Sequence, residues 1–170
     1  TRSAVVRATI LGQTRARSVT ESYTACARNV LNYAKEEARS LGHAHLGTEH
    51  LLIALAREEQ GAAARVLSSL GITADQLRNS VAFISGRGQP LPADSQEPSP
   101  TPRLRRVLET AAQEAKKRSH YVVSTLHLLL ALLREREGLA VMLLESPGVG
   151  LERIGGAMMR AFRDGLSDSI

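Results

Sequence analysis

Val30, Leu31, Ala34 and Ala38 recur at three- and four-residue spacing between Thr24 and Leu41, and this spacing predicts an amphipathic helix. A short loop holding His43 follows. A second helix is predicted from Thr48, carrying Leu51, Leu52 and Leu55. Gly61 punctuates the chain before a third, short helix that ends near Gly71. The fourth opens at Thr73, where Thr-Ala-Asp-Gln matches the capping-box pattern, and runs to about Ser85.

The pattern then starts again. Adding 77 to any residue number from Thr24 to Gly71 lands on its counterpart without a gap, and 21 of the 48 pairs are identical. Among them are Thr24/Thr101, His43/His120, Thr48/Thr125, His50/His127, Gly61/Gly138 and Gly71/Gly148. Shared helix propensity cannot hold register through turns, caps and glycines, so the chain carries an internal duplication. The second copy starts at Thr101-Pro102, a hydroxyl N-cap followed by proline at the first helical position. Its second helix carries Leu128, Leu129 and Leu132, and its fourth is expected from about Gly150 to Phe162. Thr48 and Thr125 are expected to cap the second helix of each copy.

The repeats are assigned to residues 23–85 and 101–163. Between them, residues 86–100 read GRGQPLPADSQEPSP, a Pro-, Gly- and Ser-rich stretch expected to be an exposed, flexible linker. Residues 1–22 form a basic arm and 164–170 a tail. A unit of about 60 residues buries only about 60% of its unfolded surface and is marginal alone. The expected fold is therefore all-α: two tandem four-helix repeats packed with pseudo-twofold symmetry into one eight-helix domain.

Composition narrows the function. With three Tyr, two Phe and no Trp, the chain offers few rings on which bases could stack. The formal charge of +5 is concentrated in the acid-free first 20 residues and between Arg103 and Arg118, and such patches attract phosphates or acidic partners. Nucleic-acid binding is the reading from another class, and it lacks a reading-helix motif. No apolar run approaches the roughly 20 residues of a membrane-spanning helix, so no membrane partner is expected. Cys26 stands alone in an apolar-periodic segment and reads as a packed thiol, in keeping with a reducing compartment. A cytoplasmic location is expected; the Arg-rich, Ser/Thr-containing opening also fits a remnant of an organelle-targeting peptide, which would place the protein in a plastid.

Catalysis finds no support. The chain lacks the G-x-x-x-x-G-K-[ST] phosphate loop, H-E-x-x-H, C-x-x-C and G-x-S-x-G. No catalytic residue, cofactor or metal is expected. His43, His45 and His50 do not have a standard zinc-ligand spacing, and the recurrence of two of them as His120 and His127 favours a packing or hydrogen-bonding role. Glu49 follows Thr48 in the first turn of a helix, where the dipole favours an acid by about 0.3–1 kcal/mol. The same turn offers backbone N–H groups to a phosphate, and a carboxylate accepts hydrogen bonds from a guanidinium. Both halves of a phosphorylated arginine can be held by such a pair.

These residues have a family look. The stretch YTACARNVLNYAKEEARSLGHAHLGTEHLLIALAREEQGAAARVLSSLGI closely resembles the first repeat of the N-terminal domain of ClpC-type AAA+ unfoldases. TPRLRRVLETAAQEAKKRSHYVVSTLHLLLALLREREGLAVMLLESPGV is similar to the second, more diverged repeat. The resemblance covers Tyr23 to about Phe162 and implies the double Clp-N fold. It implies a non-catalytic module binding Clp adaptor proteins and protein substrates, in some members arginine-phosphorylated ones. An accessory subunit binding the Clp protease core or unfoldase is the alternative. Carried over residue by residue, one phosphoarginine site would use Thr24 and Glu49, with Gly47 and Thr48 shaping the loop. The other would use Thr101, but its Glu position is Leu126, so at most one competent pocket is expected. Leu126 is expected to pack against a partner or against the other repeat. The unfoldases continue into two ATPase modules; this chain is expected to be either an excised domain or a free-standing double-repeat relative.

Overall fold

The computed structural model describes residues 23–145 and 148–168, and among these described residues eight helices form where the periodicity places them. The first repeat supplies α1 (Ala25–Ser40), α2 (Thr48–Arg57), α3 (Ala62–Ser69) and α4 (Ala74–Ser85). The second supplies α5 (Pro102–Lys117), α6 (Thr125–Glu135), α7 (Leu139–Glu145) and α8 (Leu151–Arg163). The basic arm of residues 1–22 lies outside the described residues. No helix among the described residues is long and apolar enough to cross a membrane.

The helix starts follow from side-chain capping. Thr24 Oγ1 accepts the Ala27 N–H at 3.1 Å and Thr101 Oγ1 accepts the Leu104 N–H at 3.2 Å. Thr73 and Gln76 cap α4 reciprocally, each bond 3.3 Å. The second helices correct the expectation. Gly47 and Ser124, not Thr48 and Thr125, are the N-caps, and the partner for their backbone N–H is the histidine three residues on. Thr48 and Thr125 are thereby first helical residues, with hydroxyls free for other work.

The two repeats close over one core. Leu51, Leu52 and Leu55 of α2 and Leu128, Leu129 and Leu132 of α6 are fully or almost fully buried in the same cluster. Both helices are apolar nearly all round because they lie at the centre. The packing is reciprocal: α3 of the first repeat sits against α6 and α8, and α7 of the second sits against α2 and α4. Each repeat thus covers what the other would leave wet.

Chain pairing is also reciprocal, and it involves two short strands that helical periodicity does not announce. Strand β1 (His45–Leu46) runs parallel to β2 (Ser99–Pro100), with His45 opposite Ser99 and Leu46 opposite Pro100. Across the pseudo-twofold, Tyr23 bridges Val123. The Thr24 N–H donates to Val123 O at 3.0 Å, and the Thr101 N–H donates to Leu46 O at 2.9 Å. The residue that opens each repeat is therefore held beside the second helix of the other repeat.

Residues 86–100 are mostly exposed, with Pro98 buried, and they are pinned rather than free. Gly88 N–H donates to Leu41 O at 2.9 Å and Leu91 N–H to Arg39 O at 3.0 Å, while Lys35 pairs with Glu97 at 3.0 Å. The segment crosses directly over Gly42, whose φ is +73° and whose hypothetical β-carbon would stand 2.6 Å from Gln89 O. Only glycine fits that crossing.

Candidate functional site: two clefts shared between the repeats

Reciprocal pairing decides which residues meet. Gly47, Thr48 and Glu49 at the start of α2 line a cleft of about 440 Å³ together with Thr101, Arg103 and Leu139. Thr24 is not there. It lines a second cleft of about 580 Å³ with Ser124, Leu126 and His127 at the start of α6. The expected pairing of Thr24 with Glu49, and of Thr101 with position 126, is corrected: each opening threonine serves the other repeat's helix. A constant offset of 77 is blind to this exchange, because it relates equivalent positions and says nothing about which copies touch.

The second cleft reveals its chemistry through an occupant from the same chain. Asp168, just past α8, accepts four hydrogen bonds at the junction of the repeats. Oδ2 takes the Thr24 hydroxyl at 2.5 Å and the Thr125 N–H at 3.1 Å; Oδ1 takes the Thr125 hydroxyl at 2.5 Å and the Ala62 N–H at 2.9 Å. Two helix N-termini and two hydroxyls thus converge on one carboxylate, the arrangement that suits an anion. The repeat offset carries these four donors onto Thr101 Oγ1, Thr48 N, Thr48 Oγ1 and Leu139 N, all on residues lining the first cleft.

The clefts differ in what surrounds those donors. In the first, Glu49 contributes a carboxylate, and Arg103 and Arg106 line the same cleft, tied to Glu135 at 3.3 and 2.9 Å. Position 103 corresponds to Cys26 and position 106 to Asn29, so the second cleft has neither cation. Its counterpart of Glu49 is Leu126, only 1% exposed and part of the common core, which answers where that side chain packs. Cys26 is buried; burial, then the charges of Asp168 and Glu58, push its thiol pKa up, away from nucleophile behaviour.

The histidines form twin relays. Gly47 N–H donates to His50 Nδ1 at 2.9 Å, which assigns the ring proton to Nε2 and directs it to His43 Nδ1 at 2.8 Å; His43 Nε2 in turn faces Gly86 O at 3.0 Å. Ser124, His127 and His120 repeat the first two links at 2.8 Å each. Burial, followed by the charge of the neighbouring histidine, pushes His50 and His127 down to about 4. His43, Glu49 and His50 bring ligand-type atoms within 4.8 Å of one another, yet both nitrogens of His50 are already committed to hydrogen bonds. The 3.8 Å approach of Glu49 to neutral His50 is for the same reason no ion pair.

Periodicity gave no reason to single out Arg103, Asp168 or Glu37. Glu37 is 3% exposed and receives Arg78 through two bonds of 2.8 Å and Arg57 at 3.3 Å. Burial raises its pKa, but the two guanidiniums outweigh that and hold it below the usual carboxylate range. Its counterpart Glu114 is equally buried and meets Lys117, Arg118 and Arg134. The identity of Glu37 and Glu114 across the repeat, each next to an alanine of the apolar stripe (Ala38 and Ala115), was the available signal.

Residues 22–155 match the Clp repeat (R) N-terminal domain. The chain belongs to this family. Among relatives of the Clp N-terminal domain, ClpC/MecB of Bacillus subtilis, a negative regulator of genetic competence, is 43% identical over 131 residues. That match covers 77% of this chain and 16% of ClpC/MecB, so the chain spans about one sixth of that relative's length. The N-terminal domain of ClpD from Arabidopsis thaliana superposes with a TM-score of 0.69 at 22% identity, covering 84% of this chain and 96% of that domain. A ClpV N-domain solved with a VipB peptide superposes at 0.62 with 19% identity, covering 83% and 86% respectively. These two likenesses establish the Clp N-domain fold.

Proposed function

We propose that this domain is a non-catalytic protein-binding module of a Clp chaperone–protease system, and that its cleft at Gly47, Thr48, Glu49 and Thr101 takes a phosphoarginine side chain on a substrate or adaptor. The observation carrying this reading is the equivalence between the four donors that seat Asp168 and the four that line the Glu49 cleft. A phosphoryl group fits such donors, and Arg103 adds charge complementarity. Glu49 then stands ready to accept hydrogen bonds from the guanidinium, whose charge a carboxylate balances. The second cleft has Leu126 in that role and cannot do the same. One phosphoarginine per chain follows.

Isothermal titration of the domain with free phosphoarginine tests this. One site is expected, abolished in Glu49→Ala and weakened about tenfold in Thr101→Val, given 1.5–3 kcal/mol for a hydrogen bond to a charged group. Two equivalent sites, or binding that survives Glu49→Ala, would refute it.

A further inference from the structure

We propose that the second cleft is a binding site for an aspartate-bearing peptide, and that residues 166–168 of this chain occupy it in cis. The inference does not depend on the phosphoarginine reading, since it concerns the cleft that lacks Glu49 and Arg103.

Asp168 is held as a ligand rather than as a surface side chain. Its two oxygens share four donors drawn from both repeats: the hydroxyls of Thr24 and Thr125 and the N–H groups of Ala62 and Thr125. Ala62 N and Thr125 N are orphan donors at the first turns of α3 and α6, groups with no intrahelical partner, so an external acceptor is needed to satisfy them. The seat is built from more than helix ends. Thr125 Oγ1 accepts the Ala63 N–H at 3.1 Å, which orients its proton toward Asp168, and Thr125 itself is fully buried.

The flanking residues match the cleft as well. Leu166 packs against the core beside Phe162, its N–H donating to Ala161 O at 2.9 Å, and the Ser167 carbonyl accepts a hydrogen bond from Arg65. The occupant is thus an apolar residue, a small residue presenting its carbonyl, and an aspartate two positions after the apolar one. A segment Leu-x-Asp of another protein carries the same three features. Val122 and Tyr121 continue the apolar wall outward, 42% and 100% exposed, where the rest of such a peptide would run.

Tethering gives the internal copy its advantage. Short links supply effective concentrations around the millimolar range, so a peptide in trans competes with a ligand already present at that level. Removing the aspartate should open the cleft, and the four donors should then report an incoming carboxylate.

The experiment follows the backbone amides of Ala62 and Thr125 by ¹⁵N–¹H spectroscopy of the full chain during titration with acetyl-Gly-Leu-Ser-Asp-amide. In Asp168→Ala both amides are expected to shift saturably, while the unaltered chain needs about tenfold more peptide for the same shift. Asp168→Asn, which keeps an acceptor of the same shape, serves as a second variant if alanine perturbs the fold, and should fall between the two. A peptide with Asn in place of Asp should leave the amides unmoved. Equal titration of the unaltered and variant chains, no shift in either variant, or equal binding of the Asn peptide would each overturn the proposal. None of these outcomes bears on Glu49→Ala, so the two readings fail separately.

Discussion

The Glu49 carboxylate folds back over Gly47 so closely that a β-carbon on Gly47 would stand 2.3 Å from Glu49 Oε2. The backbone of Gly47 is ordinary, with φ −104° and ψ 178°, so it is this close approach and not a dihedral that calls for glycine. The second repeat changes both residues together, to Ser124 and Leu126. A carboxylate aimed across its own N-cap needs a cap without a side chain. A leucine turned into the core does not.

Gly47→Ala should therefore act on ligand geometry and spare the fold. Alanine adopts the same backbone, and stability should stay within about 0.5 kcal/mol of the parent. The displaced Glu49 carboxylate loses its aim, and phosphoarginine affinity should fall about tenfold, corresponding to about 1.4 kcal/mol. Calorimetric titration beside urea denaturation separates the two effects.

Glu37→Gln should destabilise the domain by about 2 kcal/mol. The change leaves Arg78 and Arg57 facing a neutral amide at a site where the carboxylate is 3% exposed. The figure lies below that of a fully buried pair because both arginines reach solvent. Glu114→Gln should behave alike, and the denaturation midpoint in urea reads both.

Acid should unfold the protein through the twin histidines. His50 and His127 are held down to about 4 when folded and rise to about 6.5 when unfolded, so the unfolded chain binds more protons between those values. Stability conferred by the neutral rings is complete above about pH 6.5 and declines as pH falls toward 4, by about 3 kcal/mol for each ring at about 1.4 kcal/mol per unit. Calorimetric melting from pH 7 to 4.5 should show the decline. His50→Gln/His127→Gln keeps an acceptor for the N-cap N–H and should flatten it.

Gly42→Ala should cost about 2 kcal/mol, from the left-handed backbone and from contact with the crossing segment. Its counterpart Ser119 already holds φ +56°, and Ser119→Gly should be neutral or mildly stabilising. Thermal denaturation checks both. Limited proteolysis should find residues 86–100 more readily cleaved in Gly42→Ala alone.

The amino-acid sequence by itself determined the eight helices, the duplication, the shared apolar core and the family, because periodicity, capping residues and repeat identity are local or translational signals. Leu51 and Leu128 are apolar at helical spacing whatever surrounds them. Through the resemblance they carry, it also singled out Gly47, Thr48 and Glu49, grouped with Thr24, and Thr101 for a second site. Only the tertiary structure decided that Thr24 belongs elsewhere, because the parallel pairing of Leu46 with Pro100 and of Tyr23 with Val123 hands each repeat's opening residue to the other. It likewise decided that Asp168 enters the second cleft and that residues 86–100 lie pinned across Gly42. Contacts between segments far apart in the chain are set by how two surfaces close on each other, and a pattern read along one dimension does not contain them.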